Sequence, residues 1–89
     1  MKKIVGKVTT EEKDTILSLF ERRNALIELV KIITADDAIY EKMVSDMVST
    51  NTKFQQWWNS MAEKYQWESA ENGHWEINFE TNEIYLFYN

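Results

Sequence analysis

The sequence predicts an α+β domain: an antiparallel two-helix hairpin followed by a C-terminal β-hairpin, with a short N-terminal strand as its candidate third member. Three observations carry this prediction. Apolar residues recur at helical spacing from Ile16 to Tyr65. After Trp67 the period shortens to about 2, the alternation of strands. The only two glycines, Gly6 and Gly73, stand near the two ends, and no proline interrupts the tract between them.

The elements follow in order. Residues 2–8 put Ile4 and Val8 on one side of an extended segment and Val5 on the other, with Gly6 suited to a bulge or a close approach. Thr9 followed by Glu12 fits a capping box, so helix one should start there. Its stripe is Ile16, Leu19, Phe20, Leu26, Ile27, Val30 and Ile33, with Asp14, Ser18, Glu21, Glu28 and Lys31 turned away. Thr34 with Asp37 is the next expected cap, and Asp36 and Asp37 would meet the positive end of helix two.

Helix two carries a heptad seam of Tyr40, Val44, Met47, Asn51, Phe54, Trp58, Met61 and Tyr65. Ser49, Thr50, Asn51 and Thr52 are poor helix formers, yet the seam resumes at Phe54 without a shift of phase. One continuous helix of about thirty residues, roughly 45 Å long, is therefore expected. It overshoots helix one by about two turns, which leaves Met61 and Tyr65 for the β-hairpin to cover. In that hairpin the expected register pairs Phe79 with Ile84, Ile77 with Leu86 and Trp75 with Tyr88. One face is then wholly apolar, and the other carries His74, Glu76, Asn78, Tyr85 and Phe87.

At 89 residues the chain suffices for one domain, residues 1–89, which would bury about 60–65% of its unfolded surface. Hydrophobic content of 44% and charged content of 28% belong to an ordered globular protein. The absence of Cys excludes disulfides, thiol catalysis and thiolate metal sites. No apolar run approaches the roughly 18 residues of a membrane span, and the basic start lacks an apolar signal core. A cytoplasmic protein is expected, without membrane contact. A net charge of −5 opposes binding to a phosphate backbone, so no nucleic acid is expected.

That charge is unevenly placed. Residues 1–53 balance nine basic against nine acidic side chains, whereas residues 54–89 hold six Glu against Lys64 alone. The same acidic segment holds ten of the twelve aromatics and all four tryptophans, residues suited equally to a core or an interface. The candidates for partner contact are Arg23, Trp57, Trp67, Tyr85 and Phe87. Arg23 stands in the middle of the helix-one stripe, where it is either a buried pair with Asp46 or Asn51 that fixes helix register or an anchor for a partner's carboxylate. Trp57 and Trp58 are adjacent and cannot both occupy the centre of one seam. One should face helix one while the other packs under the hairpin or projects. Trp67 suits a cap over the hairpin, and Tyr85 with Phe87 shares a strand face with Glu76 and Asn78.

Chemistry is poorly supplied. Glu68, Glu71 and His74 have an i, i+3 spacing found in helical metal sites, but Gly73 interrupts the helix they would need and His74 is the only histidine. No nucleophile stands in a strand–turn–helix glycine motif, and no phosphate-cradling loop is present. No enzyme activity, metal or cofactor is expected.

The segments Gly6-Lys7-Val8-Thr9, Leu19-Phe20-Glu21-Arg22-Arg23-Asn24-Ala25-Leu26, Lys53-Phe54-Gln55-Gln56-Trp57-Trp58, Gly73-His74-Trp75-Glu76-Ile77-Asn78-Phe79 and Glu83-Ile84-Tyr85-Leu86 resemble a small bacterial family. It is the accessory protein of modification systems for ribosomally made peptides with a repeated Cys-plus-three-residue (CXXX) pattern. The resemblance spans nearly the whole chain and implies a cytoplasmic helper, without a cofactor, that recruits a precursor peptide or a maturase. It carries over no functional residues, and a chain without Cys supplies neither a thioether nor an iron–sulfur ligand set itself. Two other classes fit the composition. One is a structural homodimer forming a four-helix bundle, and the other an acidic inhibitor of a basic enzyme that would present Glu63, Glu68, Glu71, Glu76, Glu80 and Glu83.

Overall fold

A computed structural model describes residues 1–33 and 38–89. The expected cap at Thr34, with Asp36 and Asp37, lies outside the described residues. The chain is α+β in the order β1 (Lys2–Lys7), α1 (Thr10–Lys31), α2 (Ala38–Tyr65), β2 (His74–Asn78) and β3 (Glu83–Phe87). The three strands form one antiparallel sheet in the order β1–β3–β2. It covers the overshooting end of α2.

Local chemistry sets the boundaries. The Thr9 hydroxyl accepts from the Glu12 N–H, and the Glu12 carboxylate accepts from the Thr9 N–H, a complete capping box. α2 runs unbroken for 28 residues through Ser49, Thr50, Asn51 and Thr52, so packing along its length overrides their weak propensity. It stops at Gln66, whose left-handed backbone (φ 49°) reverses the chain while its N–H donates to the Ala62 carbonyl at 2.8 Å.

The seam between the helices differs from expectation. Met43, Thr50 and Trp57 are buried, whereas Val44 and Asn51 are exposed and Trp58 is half-buried. The line in contact is thus Met43, Met47, Thr50, Phe54, Trp57 and Met61, one step round the helix from the expected line at every second position. Thr50 is 2% exposed. A methyl and one hydroxyl cost less to bury than the four hydrogen-bonding sites of an asparagine amide. Opposite it, Ile16 and Leu26 are buried, while Ile27 stands 38% exposed at the edge of its stripe.

The β-hairpin also differs in detail. Its register pairs Trp75 with Leu86 and Ile77 with Ile84, two residues away from the expected pairing. The cause is a loop begun earlier: the Asn78 side chain accepts from the N–H groups of Glu80 and Thr81, and Asn82 takes left-handed backbone at φ 63°. A slip of two residues leaves every side chain on its expected face. β1 joins as the third strand with a bulge between Ile4 and Gly6. The bulge turns Val5 into the core and leaves Ile4 54% exposed, the reverse of the simple alternation.

The core gathers Val8, Ile16, Trp57, Trp67 and Ile84, with Met61, Tyr65, Trp75 and Ile77 packed around them. Trp67 lies parallel to Tyr65 at 5.6 Å and meets Trp58 and Trp75 edge-on. Gly6 makes room for it, because a Cβ there would stand 2.6 Å from the indole nitrogen. Glu12 ties the layers together. Its carboxylate accepts from Lys64 at 2.6 Å and from the Tyr65 hydroxyl, and its carbonyl accepts from the Trp57 indole at 3.0 Å.

Candidate functional site

On one flank of the domain a groove runs between the helical hairpin and strand β2. α1 supplies Phe20 and Arg23, one turn apart, and α2 supplies Phe54 and Trp58, also one turn apart. β2 supplies Trp75 and Ile77, two residues apart and therefore on one face, and Phe79 closes the end against Phe20 at 5.4 Å between centroids. The hollow they line holds about 320 Å³. A second hollow of about 310 Å³ adjoins it, sharing Phe54, Trp58 and Trp75 and extending to Gln55, Asn59 and His74.

Arg23 is the distinctive group. Its guanidinium carbon lies 4.6 Å from the Phe54 centroid and 5.5 Å from that of Phe20, so two ring faces hold it in place. The expected pairing with Asp46 belongs instead to its neighbour Arg22, and Asn51 points to solvent. Adjacent helical residues diverge by about 100°, so Arg22 and Arg23 serve opposite flanks. Among the described residues no carboxylate pairs with Arg23. The one carboxylate lining the hollow, Glu76, pairs with His74 at 2.9 Å.

The other expected contact residues fall elsewhere. Trp57 is 7% exposed, its indole bonded to α1, and Trp67 is 8% exposed within the core. Both are enclosed in the core and do not face the groove as exposed anchors: the buried phase of the seam takes Trp57 inward, and the reversal at Gln66 folds Trp67 onto Tyr65. Tyr85 and Phe87 are half-buried on the outer face of β3, the sheet surface turned away from the groove. Lys2 lies 5.0 Å above the Tyr85 ring, and His74 stacks on Phe87 at 5.2 Å. Of the five, only Arg23 reaches the groove.

Phe20, Phe54, Trp58, Trp75 and Ile77 were legible only as core residues. The available signal was Arg23 itself, a charge embedded in an apolar stripe.

A broader hollow of about 700 Å³ opens on the other flank, lined by Asp14, Thr15, Ser18, Leu19, Lys53, Gln56, Trp57 and Ser60. It is more open, and its lining mixes the apolar surfaces of Leu19 and Trp57 with polar side chains. Glu68 pairs with Lys3 and His74 with Glu76, and among the described residues no cluster of three His, Asp or Glu is arranged to hold a metal ion. Among the described residues no helix is long and apolar enough to cross a membrane.

The shifted pKa values lie outside the groove. Burial would raise that of Glu12, but the bonds from Lys64, the Thr9 N–H and Tyr65 outweigh it and lower it to about 2. The same carboxylate raises the pKa of Lys64 and of Tyr65 through their bonds to it. These groups hold the fold together rather than serve a ligand. Comparison with protein-family models, curated proteins and solved structures finds no match.

Proposed function

We propose that this chain is a non-enzymatic accessory protein in the maturation of a ribosomally synthesised, post-translationally modified peptide, and that it recruits the precursor peptide or the maturase in the cytoplasm. The observation that supports the reading is the groove along β2, where a guanidinium with no carboxylate partner among the described residues stands in an aromatic cradle beside the β2 edge of the sheet. Apolar side chains around one oriented polar group are what polypeptide recognition requires. The sequence resemblance supports the same reading. The test is to read the genes that flank this one and to co-express the tagged chain with any maturase and Cys-repeat precursor peptide found there, followed by co-purification; a flank without either refutes the role. Retention of either on the tagged chain supports the role, and elution of the chain as an inert monomer beside both refutes it.

A second reading is favoured by a different observation. Along the helical hairpin Leu29, Ile32 and Val48 are 46%, 79% and 60% exposed. Pairing of two hairpins into a four-helix bundle would cover them. A monomer mass by light scattering at micromolar concentration refutes that arrangement.

A further inference from the structure

Three features of the β2 flank bear on how a polypeptide would be held. β2 lies at the edge of the sheet, so its alternate residues turn their N–H and C=O groups away from β3. Two hollows adjoin along that strand and share the floor of Phe54, Trp58 and Trp75. An extended strand turns every second side chain to one face, about 7 Å apart, so adjoining hollows suit two such side chains. Arg23 then sets the chemistry of the occupant. Its planar fork is oriented by Phe20 and Phe54, and Glu76, the carboxylate that lines the same hollow, contacts the His74 imidazole at 2.9 Å and makes no ion pair with Arg23. An oriented guanidinium without a carboxylate is complementary to one.

We propose that an extended segment of a partner polypeptide adds to the free edge of β2 as a fourth strand, seats two apolar side chains over Phe54, Trp58 and Trp75, and gives a carboxylate to Arg23. The proposal rests on the reading of this chain as a polypeptide binder and adds the site and the chemistry of the bound segment. Backbone pairing supplies sequence-independent affinity, and the carboxylate and the two hollows supply choice.

The test is selection of a phage-displayed library of random linear peptides on the whole folded chain, followed by anisotropy titration of the peptides recovered. The expected peptides carry Asp or Glu with apolar residues at alternate positions. Changing that acid to its amide should weaken binding roughly tenfold or more, and Arg23→Gln should abolish the difference between acid and amide. Arg22→Gln, on the opposite flank, should leave it intact. The acid-to-amide change is made in the peptide, so it reports even where Arg23→Gln disturbs folding. Failure to recover any peptide, recovery without an acidic preference, or an acidic preference that survives Arg23→Gln in a folded variant overturns the proposal. Co-purification that persists with Arg23→Gln would leave the accessory role standing and remove this site. Selected acidic peptides without co-purification would do the opposite.

Discussion

Replacing Glu12 by Gln tests whether one carboxylate joins the helical hairpin to the overshooting end of α2. Gln keeps the shape and one acceptor for the Thr9 N–H, but it removes the charge that Lys64 and Tyr65 address. The Glu12 pKa falls from 4.5 to about 2 in the folded chain, a difference that in full corresponds to about 3 kcal/mol. The Lys64 side chain is 55% exposed, so solvent screens that half of the network, and about 1–2 kcal/mol is the expected contribution at neutral pH. Because the folded pKa is the lower one, this stability is fully present above about pH 4.5 and is lost as pH falls towards about 2. Urea unfolding followed by tryptophan fluorescence, at neutral pH and at steps down to pH 2, measures the gap between wild type and Glu12→Gln. The gap should be about 1–2 kcal/mol at pH 7, or roughly 4–15 °C in melting temperature, and should close through the acidic window. A gap that stays constant across that window would refute the assignment of the charge to this network.

Gly6→Ala places a methyl 2.6 Å from the Trp67 indole nitrogen, in a ring already packed on Tyr65, and should cost about 1–3 kcal/mol in urea unfolding. Asn82→Ala puts an alanine at φ 63° and should cost about 1 kcal/mol, whereas Asn82→Gly should restore most of it. Asn51→Asp, on an exposed position, should change stability by no more than about 0.5 kcal/mol, while Thr50→Asp buries a carboxylate in the seam and should cost several times that. Equal tolerance at Thr50 and Asn51, read from the same unfolding curves, would contradict the observed seam.

The last pair bears on what a sequence of this kind reveals. Two heptad lines run through α2 and share Tyr40, Met47, Phe54 and Met61. They differ in taking Val44, Asn51 and Trp58 or Met43, Thr50 and Trp57. Both alternate steps of three and four, so periodicity specifies the helix and its continuity without choosing the line that is buried. The choice falls to tertiary packing, where Trp57 finds an acceptor in the Glu12 carbonyl and Thr50 fits without an unmatched amide. The hairpin shows the same division. Alternation fixes which side chains share a face, but a slip of two residues preserves every face, and only the Asn78 and Asn82 turn chemistry decides the register.

Arg23 was legible for the opposite reason: it breaks the local pattern. A guanidinium in an apolar stripe requires either a buried partner or an open side, and the spacing of the two helices left both available. The structure gives the Asp46 carboxylate to Arg22 and lays Arg23 over Phe54 and Phe20 instead. Its surroundings were hidden because the groove is assembled from three elements distant in sequence, each contributing residues that read individually as core. Trp58 is open to the groove because Trp57 takes the centre of the seam, one step round the helix, while Phe54, common to both lines, stands at its edge. The burial of Trp57 against α1 and the opening of Trp58 towards β2 thus follow from one choice of seam, which places one aromatic in the core and leaves its neighbour lining the groove.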